Sequence, residues 1–283
     1  MNLKKDLKKF NKRVLGIVLS MFLITPVFAS VAVSPTRIEL DANKVKGNYL
    51  TTAIEVKGDS KVPMRFKVYP TYFKINENGD VNFIEKTTDT YDLSKKIRFV
   101  PSEFTVAQGK VQKVRINIPN IKQLPDGENR TMLFIEDINP KEMNIPMPVQ
   151  GIGAQLVVKT RIGVPLYVDK GKFVKEADVE YMNIIKGKDG LYTETKIVTK
   201  GNSRIRYSGK VQIIQGKKLI DEYELDSVAV AHNSHYVDRT KIKTDKLQQG
   251  QYTLRMIISY FDENSKRKNI KKETILNMTT NKM

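Results

Sequence analysis

Gly151-Ile152-Gly153-Ala154-Gln155-Leu156-Val157-Val158-Lys159-Thr160-Arg161-Ile162-Gly163-Val164-Pro165-Leu166-Tyr167-Val168 is the stretch that decides the fold. One phase of it, Ile152, Ala154, Leu156, Val158, Thr160, Ile162, Val164, Leu166 and Val168, is apolar except for the threonine. The other phase carries Gln155, Lys159, Arg161 and Tyr167 among smaller residues. Side chains of a strand alternate between faces, so the pattern predicts one strand across Gly151–Val168 with an oily and a mixed face. Strands usually run about five or six residues. Two readings of so long a strand stand open. It is a core strand of a sandwich, or a sheet edge on which another chain pairs.

Outward from this stretch, runs rich in Val, Ile, Thr, Tyr and Phe recur between turn signals. Upstream, strands are expected at Val31–Leu40, Tyr49–Lys57, Met64–Ile75, Ile97–Val100, Val111–Ile118 and Arg130–Ile138. Turns such as Asn76-Glu77-Asn78-Gly79-Asp80 and Leu124-Pro125-Asp126-Gly127 separate them. Downstream a second series covers Glu176–Ile185, Leu191–Thr199, Gly209–Gln215, Leu219–Leu225, Tyr236–Ile242, Tyr252–Asp262 and Ile270–Met278. Helical periodicity is nearly absent. The fold class is therefore all-β, two immunoglobulin-like sandwiches in series, with residues 30–168 as the first domain and 169–283 as the second. Asn139–Gln150, interrupted by Pro140, Pro146 and Pro148, reads as a loop, because proline cannot donate to a ladder. Its Met143, Ile145, Met147 and Val149 are apolar, as in a segment pinned to a core or awaiting a partner.

Residues 1–29 have the layout of a secretory signal. Six Lys and Arg against a single Asp precede an apolar run from Val14 to Ile24, and Val27-Phe28-Ala29 offers a cleavage site before Ser30. The apolar run falls short of the roughly 20 residues that span a bilayer. The net charge of +18 includes +5 from this segment, which leaves +13 for the rest. The basic residues are scattered, with no nucleic-acid motif among them, so most of the charge reads as solvated surface. There is no cysteine, which excludes thiol chemistry and disulfide staples. His232 and His235, the only histidines, cannot close a zinc site alone and read as a surface loop. No nucleophile motif, phosphate loop or paired catalytic carboxylates stand out, so neither an enzyme nor a metal or other cofactor is expected.

Val33-Ser34-Pro35-Thr36-Arg37-Ile38, then Ile97-Arg98-Phe99-Val100-Pro101, Ala107-Gln108-Gly109, Gln112 and Val114-Arg115-Ile116, then Asp126-Gly127-Glu128-Asn129-Arg130-Thr131-Met132-Leu133-Phe134, occur in that order ahead of the long strand. This series resembles the periplasmic pilus chaperones of the chaperone–usher pathway, the PapD-like family, and its Asp-Gly-Glu-x-Arg and Val-Pro-Leu-Tyr-Val pieces look more like the archaic-type branch. The resemblance covers roughly residues 31–168. Two departures stand out. Gly163 occupies the position where the family's best-known members place a lysine, and Thr131 stands where many carry a glutamate.

The resemblance implies a periplasmic assembly chaperone. It would hold incomplete pilin-like fimbrial subunits by donor-strand complementation and deliver them to an outer-membrane usher. In that scheme a backbone ladder gives a sequence-tolerant bond, and alternate side chains fill the subunit's groove. Ile152, Ala154, Leu156 and Val158 are the candidate inserted row; the other reading places that phase in the protein's own core. Arg37 is the candidate anchor for the client's C-terminal carboxylate, because a guanidinium grips a carboxylate through two charge-assisted bonds. Arg161, on the face of Gly163, is the candidate replacement for the missing cation. Arg115 is expected in an internal ion pair. The alternative is a secreted structural or adhesive surface protein of two sandwiches.

Overall fold

The computed structural model describes residues 31–139, 141–146, 153–245 and 247–278. The signal-like segment and Ser30 lie outside them. The described chain is all-β, as the alternation predicts, with three short 3-10 turns and no α-helix among the described residues.

The first sandwich is built from β1 (Val31–Ser34), β2 (Ile38–Asp41), β3 (Tyr49–Gly58), β4 (Met64–Ile75), β5 (Val81–Ile84), β6 (Arg98–Val100), β7 (Glu103–Val106), β8 (Val111–Pro119), β9 (Gly127–Asp137), β10 (Lys141–Pro146), β11 (Gly153–Val158) and β12 (Arg161–Lys170). One sheet has the order β1-β3-β8-β6; the other has β2-β12-β9-β4-β5, with β7 also on β4. Between them lies a core that includes Ile54, Val56, Phe66, Leu93, Val114, Ile116, Leu133, Ile135, Val164, Leu166 and Val168. Two expected strands prove to be divided. Val31–Leu40 splits around Pro35, and its halves join opposite sheets. β1 pairs antiparallel with β3, and β2 pairs parallel with β12.

Gly151–Val168 is not one strand either. It breaks at Lys159 and Thr160 into β11 and β12. The cause lies in the neighbouring strand. β9 ends at Asp137, whose N–H donates to the Thr160 carbonyl at 2.9 Å, and Lys159 turns to an ion pair with Glu136. Upstream of that point β12 has no β9 to follow, and β11 pairs antiparallel with β10 instead. The expectation of a plain loop over Asn139–Gln150 is corrected by the same observation, since Lys141–Pro146 is a strand. Pro146 is tolerated because it closes β10, opposite Gly153. Among the described residues β10 and β11 form a two-stranded sheet of their own, an arm that joins neither sheet of the sandwich.

The second sandwich comprises β13 (Ala177–Gly187), β14 (Gly190–Thr199), β15 (Ile205–Gln215), β16 (Lys218–Val230), β17 (His235–Lys241), β18 (Gly250–Phe261) and β19 (Arg267–Met278). Its sheets, β13-β14-β17 and β16-β15-β18-β19, enclose a separate core around Ile197, Tyr207, Val211, Ile213, Leu254, Met256 and Ile258. The link leaves β12 through Gly171 at φ +64°, where a Cβ would fall 1.9 Å from the Asp126 carboxylate. Glycine suits that backbone best, and any side chain there would displace the Asp126 carboxylate.

Candidate functional site

β12 is an edge strand over half its length. It pairs with β9 from Arg161 to Lys170, but β2 covers its other side only from Leu166 to Asp169. Among the described residues nothing pairs with the outer side of Arg161–Pro165. The inward phase of β12, Val164, Leu166 and Val168, is in the sandwich core with Ile162 packed against it. The outward phase, Arg161, Gly163, Pro165, Tyr167 and Asp169, lies across from Glu136, Phe134, Met132, Arg130 and Glu128 of β9.

The register places Ile38 opposite Leu166, so Arg37 stands level with Pro165, where the open edge meets β2. Its Nε is 2.7 Å from Glu39 Oε1, and both side chains are 42% exposed. With Nε occupied, the two terminal nitrogens of the fork remain to face a ligand. Arg161 lies at the far end of the same edge, four residues from Pro165, or about 13 Å along the strand. Its guanidinium stacks 4.3 Å from the centre of the Phe134 ring, with Phe83 at 6.0 Å. Arg37 and Arg161 share a face, but they do not converge on one ligand group. Gly163 has a steric reason. A Cβ there would meet Met132 Sδ at 3.0 Å and Phe134 Cε1 at 3.3 Å, so the sheet's outer face fills the space a longer residue would need. Ala154, Leu156 and Val158 lie on β11, opposite Ile145, Met143 and Lys141 of β10. Ile152 is outside the described residues. Arg115, expected in an ion pair, is exposed on β8 and makes none among the described residues.

Beyond Arg37 the outward face of the sheet runs into the second sandwich. Glu128 is fully buried, with Oε2 2.9 Å from Arg204 Nη1 and Oε1 3.2 Å from Arg130 Nη1. It also accepts from the Arg204 backbone N–H at 2.9 Å. Burial by itself would raise its pKa. The nearby His232 and the guanidiniums of Arg204 and Arg130 outweigh that and hold it at about 2. Arg204 bridges onward to Glu39 at 3.0 Å, and its guanidinium lies 3.7 Å from the centre of the Tyr167 ring. Glu39 is thus shared by Arg37 and Arg204. Asp169 takes Ser203 Oγ at 2.7 Å and Lys175 Nζ at 3.3 Å. The β4–β5 turn docks on β17, where Glu77 accepts from the Val237 N–H at 3.0 Å and pairs with His235 at 2.7 Å.

The histidine expectation is corrected in part. The His232 side chain is only 11% exposed, 3.9 Å from Glu128 and edge-on to Tyr91 at 5.3 Å. The 3.9 Å separation exceeds hydrogen-bond reach, so His232 acts on Glu128 as a neighbour and not as a bonded partner. Sequence reasoning missed this junction, and with it Glu39, Arg204 and Arg206. A signal was present in Glu128 and Arg130, charges just ahead of the apolar run Met132–Ile135 in one strand, but nothing local named their partners. Between the sandwiches opens a cleft of about 450 Å³, lined by Glu39 and, from the second sandwich, Arg204, Arg206, Ser208, Ser227 and Phe261 among others.

No family model and no curated relative matches the sequence. Solved structures do resemble it. The YadV chaperone is similar at 12% identity and a TM-score of 0.45, over 88% of this chain and all of that one. A chaperone–tip subunit complex, CsuC–CsuE of the archaic chaperone–usher Csu pili of Acinetobacter baumannii, is similar at 15% identity and 0.44, over 86% and 98%. A complex of the Salmonella enterica SafA pilin with the SafB chaperone gives 11% identity and 0.42, over 90% and 98%. These and the other similar structures are named as chaperones, several of them of fimbriae or pili. At such identities and scores the likeness stays a likeness, and what the chain does is argued below from its own residues.

Proposed function

We propose that this protein is a periplasmic assembly chaperone that captures incomplete pilin-like subunits through the open edge of β12. It would then pass them to an outer-membrane usher. The observation that carries the reading is an edge strand, unpaired over Arg161–Pro165 among the described residues, that ends level with Arg37, a half-exposed arginine whose partner Glu39 lines the cleft. An open edge supplies backbone donors and acceptors to any extended partner, and the arginine sets where that partner stops. A client strand along this edge with its C-terminal carboxylate at Arg37 runs from Arg161 toward Pro165, which is parallel to β12. The client's groove would receive the alternate residues of the arm upstream, Ile152, Ala154, Leu156 and Val158. Arg161 then serves as a cation along the client's path and not as a second grip on its terminus.

The test is co-expression of the exported chain with candidate subunits, followed by purification from the periplasm. A one-to-one complex is expected. Arg37→Ala should weaken it by about 2–5 kcal/mol, the loss typical of a buried charge-assisted contact. Because Arg37–Glu39 is a surface pair, the same change should cost the fold less than about 1 kcal/mol. Removing the client's terminal carboxylate should weaken the wild type but add nothing in Arg37→Ala. Equal weakening of both proteins removes Arg37 from the role. Stable incorporation of the protein into surface fibres would favour the adhesive alternative.

A further inference from the structure

In the first sandwich the 3-10 turn Ser94–Lys96 runs into β6, and the 3-10 turn Ile121–Gln123 follows β8. Between them opens a pocket of about 310 Å³. Its wall carries three cations, Lys95, Lys96 and Arg98, and the side-chain amides of Asn120 and Gln123. Among the described residues no Asp or Glu lines it. Lys95 Nζ donates to the Thr87 carbonyl at 3.2 Å, and Lys96 Nζ donates to the Thr90 carbonyl at 3.1 Å. Each ammonium is thereby held in place with donors to spare, since it carries three and spends one. Arg98 is exposed, and its side chain makes no hydrogen bond or ion pair among the described residues. Asn120 Oδ1 accepts from Asn48 Nδ2 at 3.3 Å, which leaves the Asn120 Nδ2 as a donor. Elsewhere on the surface basic side chains meet acids, as Lys113 meets Glu55, Lys196 meets Glu180 and Arg255 meets Glu273. A concavity lined by one sign of charge focuses the field and concentrates the opposite ion.

We infer that this pocket binds a phosphate group, with Arg98 and the two lysines donating to its oxygens. Ammonium and guanidinium groups donate and cannot accept, so the ligand must be rich in acceptors. A phosphate spreads several strong acceptor oxygens around one centre and reaches more of these donors than a planar carboxylate does. The buried Ile97 and Leu124 close the floor of the pocket beneath them. The site is apart from the client edge. β6 ends its sheet on the side opposite β1, whereas β12 lies beside β2, which continues the chain from β1. A phosphate at β6 and a client on β12 would occupy opposite sides of the sandwich. The same chemistry is offered by soluble phosphate and by a phospholipid headgroup at a membrane surface.

The experiment has two arms. The first titrates inorganic phosphate into the mature protein at constant ionic strength and follows the backbone amide resonances, with chloride and acetate as controls. A saturable response is expected, confined to residues 94–98 and 119–124. Arg98→Gln should raise the dissociation constant at least about tenfold, as the loss of a charge-assisted bond does. Lys217→Gln combined with Lys218→Gln, which removes two charges from the second sandwich, should leave the constant unchanged. The second arm floats the same proteins with vesicles of phosphatidylglycerol or of phosphatidylcholine. Flotation on phosphatidylglycerol that Arg98→Gln abolishes and the double lysine variant retains identifies a lipid headgroup as the source. No such flotation, with the phosphate response intact, identifies a soluble phosphate. A response scattered over surface lysines, or one that Arg98→Gln leaves at full affinity, overturns the site. An equal response to acetate overturns the choice of phosphate. Neither failure touches the reading of β12, which uses none of these residues.

Discussion

Glu128 has no exposed surface, yet its carboxylate is held at about 2, because His232, Arg204 and Arg130 more than offset the effect of burial. A carboxylate whose folded pKa lies below its unfolded value of about 4.5 stabilises the fold at every pH above that value. The contribution is lost as the pH falls from about 4.5 toward 2, and over that interval it is on the order of 3 kcal/mol. Denaturant titrations across this range should show a steep loss of stability in the wild type. Glu128→Gln should flatten that slope and be less stable at neutral pH by a similar amount. Gly163 permits a second test at this scale. Placing a lysine there sets its Cβ 3.0 Å from Met132 Sδ, so Gly163→Lys should cost about 1–3 kcal/mol in the same titration, as overpacked sites do. Arg37 could be proposed from the sequence because Val33–Ile38 resembles the first strand of a known family. The Glu128–Arg204 pair could not, since its two residues lie 76 positions apart in the chain and on different sandwiches.

Strands that bury one face were readable as elements. Met64–Ile75 emerges with its expected bounds, and each of the seven expected runs of the second sandwich has a counterpart in β13 to β19. Apart from β10, read as a loop for its prolines, and the split of Val31–Leu40 at Pro35, two further misses have their own causes. β5 and β7 are only four residues long and carry too few alternations to register. The break at Lys159 and Thr160 is invisible to periodicity, because it is set by where β9 ends and not by any residue of the stretch itself. The arm gives the prediction proper to this scale. Among the described residues β11 is bonded to β10 and to no other strand, so a charge placed on it should leave both cores untouched. Leu156→Asp should change the melting temperature by less than about 2 °C, a shift worth under about 1 kcal/mol in a chain of this size. Client capture should fall by several kcal/mol, because an unpaired carboxylate would enter an apolar groove. A large drop in melting temperature would place Leu156 in the protein's own core.

At the scale of the molecule, the two cores are separate but the junction between them is stitched by buried charge and by the β4–β5 turn on β17. Calorimetry should therefore show one unfolding transition. Arg204→Met leaves Glu128 buried without its main partner, which typically costs about 3–5 kcal/mol, and should split the transition into two. The arm behaves oppositely. Opening it breaks the β10–β11 ladder and exposes neither core, so its backbone amides need no global unfolding to meet solvent. In deuterium the protein should show two clocks. The amides of β11 should exchange fast and independently of denaturant, and those of β12, a few residues on, should exchange only as the whole sandwich opens. A bound client would bring the fast clock to the pace of the slow one, so that the lifetime of the complex could be timed from a handful of N–H groups without labelling the client.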